Sequence, residues 1–142
     1  MKTLIVEDDF TSRLLLQELL KTYGQSHIAV TGGEAVEAVR IALGKNQPYD
    51  LICMDIMMPE MDGQQALREI RTLEEAHGIF SPKGSKIIMT TALTEMKDVM
   101  NAYHNLCDAY LTKPIQKAIL LEELKNLRLL KETGGKNAYP DR

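Results

Sequence analysis

The sequence predicts an α/β protein, one domain built on a doubly wound parallel sheet of five strands with helices on both faces. Three observations carry that prediction. Short apolar, β-branched runs alternate with amphipathic segments five times, the β-α order of a parallel sheet with helical crossovers. The run Leu51 to Met54 is apolar without a break, as strands buried on both faces are. The runs that lead into helices end in polar groups: Glu7-Asp8-Asp9, Asp55, Thr90-Thr91 and Thr112-Lys113. In a parallel sheet these ends lie along one edge, where open α/β folds bind ligands.

Each element has its own signal. Thr3 to Val6 is the first strand. Asp9 is the N-cap of a helix from Phe10 to Tyr23, with Leu15, Leu16, Leu19, Leu20 and Tyr23 on its apolar face and Gly24 as its stop. His27 to Thr31 is the second strand and Gly32-Gly33 a turn. Glu34 to Leu43 is the second helix, with Val36, Val39 and Leu43 on one stripe, closed by Gly44 to Pro48. Tyr49 to Met54 is the third strand, and Asp62 or Gly63 starts a third helix that runs to about Ala76. Leu67, Ile70 and Leu73 form its inner face, with Glu74 and Glu75 on the solvated side. His77 to Ser85, punctuated by Gly and Pro, is a loop that is long for such a fold. Lys86 to Thr90, Glu95 to Tyr103 and Ala109 to Leu111 continue the alternation as strand, helix and strand. Pro114 sits near the start of a last helix that runs to about Leu130. Residues 1–131 form the domain, and residues 132–142, with Gly134-Gly135, a flexible tail.

Composition narrows the function. The chain has 142 residues, 44% apolar and 26% charged, an ordinary globular balance for one domain. A net charge of −3 gives no general pull toward nucleic acid or an anionic membrane. No apolar run nears the roughly 20 residues that span a bilayer. The N-terminus meets acid at Glu7 too early for a signal peptide. Cys53 and Cys107 are far apart and read as lone thiols of a reducing compartment, so the expected location is cytoplasmic.

The chemistry sits at the polar edge. Carboxylates that meet there repel one another unless a cation lies among them. Oxygen ligands without nearby His or Cys suit a hard ion, Mg²⁺ (or Mn²⁺). Lys113 suits an incoming phosphoryl group, and a hydroxyl of Thr90 or Thr91 can donate to a phosphoryl oxygen. Thr90 is expected in the core and Asp9 and Asp62 as helix caps. The methionines fill core and loops, although Met57, Met58 and Met61 could form an apolar rim. His27, His77 and His104 are scattered and expected at the surface.

Four pieces in this order carry a resemblance: Leu4-Ile5-Val6-Glu7-Asp8-Asp9, Met54 to Gly63 around Asp55, Thr91-Ala92 and Lys113-Pro114. Together they resemble the receiver domain of bacterial two-component response regulators, including the chemotaxis regulator, over nearly the whole chain. The resemblance implies a flavodoxin-like sheet of order 2-1-3-4-5 with five helices. It implies that Asp55 takes a phosphoryl group from a histidine kinase or histidine phosphotransfer protein. It implies Mg²⁺ held by Glu7, Asp8, Asp55 and the backbone carbonyl of Met57. Thr91 matches the switch hydroxyl, Ala92 a backbone contact to the phosphoryl group, Lys113 its ion-pair partner, and Tyr110 the aromatic switch. Pro114 follows Lys113 as in the family, commonly through a cis peptide.

The implied role is a stand-alone signalling module that acts on a downstream protein target, with no direct nucleic-acid or membrane partner. Its catalysis is confined to its own phosphorylation and dephosphorylation. An intermediate phosphotransfer carrier and a phosphorylation-independent binding module are alternatives. A phosphatase or mutase would want a carboxylate where Met57 stands. A flavin carrier would find its phosphate repelled by Glu7-Asp8-Asp9. Met57 and Leu93 flank the site with apolar chains that cannot hold water by a strong hydrogen bond, which predicts slow self-dephosphorylation. The loop from His77 to Ser85 reads as an insertion.

Overall fold

A computed structural model describes residues 1–58, 61–92, 97 and 106–131. Five strands, β1 (Thr3–Val6), β2 (Ser26–Ala29), β3 (Leu51–Asp55), β4 (Lys86–Thr91) and β5 (Ala109–Thr112), form one parallel sheet of order β2-β1-β3-β4-β5. The helices are α1 (Phe10–Leu20), α2 (Gly32–Gly44), α3 (Gly63–Ala76) and α4 (Lys117–Asn126). The helix expected over 95–103 lies, apart from Lys97, outside the described residues, as does the tail from residue 132.

Strand side chains alternate between two faces, and each face has its own core. Leu4, Val6, Ile52, Met54, Ile87 and Met89 pack with Val39 of α2 and Leu67 and Ile70 of α3. Ile5, Leu51, Cys53 and Ile88 pack with Leu16 and Leu20 of α1 and Leu120 and Leu124 of α4. Every residue of β1 and β3 is buried, which is why those strands read as unbroken apolar runs.

The helix starts follow their caps. Asp9 and Asp62 accept from the N–H groups of Ser12 and Gln65, each at 2.9 Å. Thr31, expected to end the second strand, instead caps α2 by accepting from Glu34 N–H at 3.0 Å, and Glu34 reaches back to Val30 N–H at 2.9 Å. This reciprocal bonding draws Gly32-Gly33 into the helix. The first helix ends earlier than its apolar pattern: Lys21–Tyr23 form a 3-10 turn before Gly24, whose φ of 139° favours glycine. Leu15 lies at the rim, 37% exposed. The last helix is also shorter than expected, because Arg128 adopts φ 64° and Leu129 N–H folds back to the Leu124 carbonyl at 2.8 Å.

Glu74 departs most from its expected place. It is buried, with Oε1 accepting from Arg71 Nη1 at 2.7 Å and Oε2 from Ser85 N–H at 2.7 Å. The long loop folds over it, and Arg71 extends the network to the carbonyls of Leu106 and Ser85 (2.9 Å each) and to Asp108 Oδ2 at 3.2 Å.

Candidate functional site

Parallel register sets the edge. Val6 pairs with Met54, Asp55 with Thr90, and Thr91 with Thr112. The strand-end residues Glu7, Asp55, Thr91 and Lys113 therefore come to one end of the sheet. Asp55 closes β3 and is 4% exposed, while Glu7 is fully buried.

Backbone contacts hold the two acids in place. Glu7 N–H donates to the Ala29 carbonyl at 3.0 Å, Arg13 Nη1 donates to the Glu7 carbonyl at 3.2 Å, and Asp9 N–H donates to Glu7 Oε2 at 3.1 Å. After Asp55, Ile56 N–H donates to the Thr90 carbonyl at 3.2 Å and Gly63 N–H to the Ile56 carbonyl at 3.1 Å. A Cβ on Gly63 would lie 2.6 Å from the Asp55 carbonyl oxygen, so only glycine lets α3 start this close to the acid. The sequence marked Gly63 only as a helix start; its second duty depends on a tertiary approach.

Lys113 completes the cluster. Its N–H donates to the Thr91 carbonyl at 2.8 Å, and a cis peptide joins it to Pro114. Its Nζ lies 2.9 Å from Glu7 Oε1 and 3.3 Å from Asp55 Oδ1. Met57 N–H also donates to Asp55 Oδ1, at 3.3 Å. Burial, then the charge of Glu7, pushes Asp55 up to about 7, against the pull of Lys113. Burial lowers the Lys113 ammonium, but the bond to Glu7 and the charges of Asp55 and Glu7 outweigh it and hold it above its usual range.

The donor set fits a hard cation. One carboxylate oxygen each from Glu7, Asp8 and Asp55 lies within 4.8 Å of the others. Glu7 Oε1 is buried, and its charged neighbour is the Lys113 ammonium at 2.9 Å. Three carboxylates so close, two of them buried and balanced by one ammonium, form an all-oxygen donor set that Mg²⁺ or Mn²⁺ would fit. Met57 belongs to the same turn, with its side chain 63% exposed.

The other sequence candidates divide. Thr91 is buried, with Oγ1 3.4 Å from the Ala92 carbonyl, and Ala92 is exposed. Thr90 is buried as expected. Tyr110 is half-buried against the α2/α3 core, and burial and its bond to the Cys107 side chain raise its hydroxyl above the usual range. Of the rim methionines only Met57 is exposed; Met58 is core and Met61 packs beside it, because Gly32 backs onto Met61. His27 and His77 stand away from the acids, and His104 is outside the described residues, as is Leu93.

Residues 3–125 match the family model of the response regulator receiver domain. This chain belongs to that family. The receiver is 39% identical over 131 residues to hybrid signal transduction histidine kinase B of Dictyostelium discoideum, covering 87% of this chain and 6% of that protein. It is 32% identical over 126 residues to the chemotaxis protein CheY of Halobacterium salinarum, covering 89% of this chain and 95% of that one. The chain spans only 6–12% of the first hybrid and probable histidine kinases it matches. Its fold matches the receiver domain of sensor histidine kinase PA1611 from Pseudomonas aeruginosa, solved with magnesium in its active site cleft (TM-score 0.70, 28% identity, 89% and 95% of the two chains). A second match comes from the Saccharomyces cerevisiae complex of the phosphotransfer protein Ypd1 with the receiver domain of Ssk1 (TM-score 0.74, 28% identity, 93% of each chain). The receiver is a signalling module of two-component systems. Among its described residues no helix is long and apolar enough to cross a membrane.

Proposed function

We propose that this receiver accepts a phosphoryl group on Asp55 from the phosphohistidine of a kinase or phosphotransfer protein. The observation that carries this reading is the convergence of Glu7, Asp8, Asp55 and Lys113 at one sheet edge, with Lys113 Nζ 3.3 Å from the Asp55 carboxylate. An Asp55 oxygen attacks phosphorus; the O–P bond forms as the N–P bond breaks, and the electron pair returns to the imidazole nitrogen. Lys113 offsets charge on the transferring oxygens, where positioning and neutralisation supply most of the catalysis. A bound Mg²⁺ or Mn²⁺, held by Glu7, Asp8, Asp55 and the Met57 carbonyl, would supply further positive charge to the carboxylates and the phosphoryl group. Ala92 N–H and the Thr91 hydroxyl receive the new acceptor oxygens. Thr91 then vacates space for Tyr110, and the surface around β5 changes for a downstream protein target. We place residues 1–131 in the receiver unit and its action in the cytoplasm, which the unpaired Cys53 and Cys107 suit.

Intact mass after incubation with acetyl phosphate or phosphoramidate tests the reading. One phosphoryl adduct is expected with Mg²⁺, none in EDTA and none in Asp55→Asn. No adduct under any condition would overturn it and favour a phosphorylation-independent binding module. The apolar neighbour Met57 adds a second expectation. Met57→Asn gives an attacking water a hydrogen bond worth about 1 kcal/mol, so decay of the adduct should quicken about fivefold. An unchanged decay rate would remove Met57 from the account, and Leu93→Glu is the companion variant.

A further inference from the structure

A second site lies near the opposite edge of the sheet. A cavity of about 350 Å³ opens between α2 and edge strand β2. Lys2 and Lys45 line it together with His27 and Tyr49, and among the described residues no carboxylate does. That is an unusual balance on a chain of net charge −3. Ile28 (38% exposed) and Ile41 (43% exposed) line the same space. Volume, an apolar lining and a few convergent polar groups are the marks of a small-molecule site.

The polar end is already ordered. Lys2 Nζ donates to the Gln47 carbonyl at 2.6 Å and sits 4.5 Å over the Tyr49 ring. An ammonium has three donors, so this lysine is fixed in place with donors to spare. His27 Nδ1 pairs with Tyr49 OH at 2.7 Å, and the rings stack edge to face at 5.5 Å. This bonding fixes the imidazole at the polar end of the cavity. Asp50 stands nearby, but its carboxylate accepts from the Lys2 backbone N–H at 2.7 Å. We propose that this cavity binds a small amphiphilic carboxylate, its apolar body against Ile28 and Ile41 and its head group on Lys2 and Lys45. Asp55 lies at the other end of its strand, so the site stands apart from phosphoryl chemistry.

The test is a ¹H–¹⁵N NMR titration of the full chain with octanoate, and with octylammonium as the charge control. Saturable shifts should centre on residues 27–28 and 38–45, with a Kd of about 1 mM or below. Octylammonium should bind at least about fivefold more weakly, and Lys2→Glu with Lys45→Glu should weaken octanoate by a similar factor. Lys45→Glu alone, at the exposed end of α2, keeps the test valid if the double variant misfolds. Scattered or unsaturable shifts would overturn the proposal, as would equal binding of the cation or indifference to the lysine changes. An acidic leucine–glutamate peptide that shifts these amides while octanoate does not would also overturn it, in favour of a protein partner.

Discussion

Arg71→Ala is expected to cost about 3 kcal/mol of folding stability. The guanidinium bridges α3, the long loop and the approach to β5 through Glu74, Ser85, Leu106 and Asp108. Glu74 has a side chain 4% exposed, so removing its cation leaves a buried charge without a counterion. Breaking such a pair by deleting one partner costs about 3–5 kcal/mol, whereas removing both charges together costs much less. The 19% exposure of Arg71 places the expected loss at the lower end. Urea unfolding of Arg71→Ala, Glu74→Gln and the double variant separates the causes. Glutamine at position 74 can still accept from Ser85 N–H, so the double variant should recover about 1 kcal/mol or more relative to Arg71→Ala. Additive losses would show that the arginine acts through its other contacts, the Leu106 and Ser85 carbonyls and Asp108, and a loss under about 1 kcal/mol would remove the network from the account of stability.

The second large effect runs the other way. Asp55→Asn is expected to stabilise the metal-free receiver, and more so as pH rises. Asp55 ionises near 3.8 when unfolded and about 7 when folded, through burial and the charge of Glu7. A raised carboxyl pKa means that folding binds a proton between those values. Its contribution to stability is therefore full below about pH 4 and is lost as pH rises through about 7. Asparagine cannot ionise, so the variant escapes that loss, while Lys113 retains Glu7 at 2.9 Å. The advantage of the variant should grow from near zero below about pH 4 to about 1–3 kcal/mol at pH 8. Thermal unfolding in EDTA across that range reads it, and parallel curves for the two proteins would refute it. Excess Mg²⁺ should raise the wild-type Tm at pH 8 more than that of the variant, because a bound cation favours the ionised carboxylates.

Both effects depend on groups whose roles the sequence exposes unequally. The meeting of Glu7, Asp8, Asp55 and Lys113 was legible because they stand at the ends of short strands, and a parallel sheet sends all such ends to one edge. The β-α alternation and the unbroken apolar runs of β1 and β3 fixed the class of fold, since burial on both faces leaves no room for polar alternation. Asp9 and Asp62 were legible as caps because capping is local.

What the sequence left open depends on approaches between distant segments. Glu74 looked solvated because helical periodicity describes one helix and cannot foresee a loop folding over its polar side. Gly63 looked like an ordinary helix start and Gly32 like a turn residue until the backbones of Asp55 and Met61 came against them. Leu15 fitted the apolar face of α1 by spacing, yet it lies at the rim of that face, 37% exposed. The cavity of Lys2, His27, Lys45 and Tyr49 gathers residues from three separate stretches, and no local pattern links them. Local sequence thus determined the strands, the caps Asp9 and Asp62 and the polar character of the strand ends. Only tertiary packing decided which charges are buried, which partners they meet and what they cost.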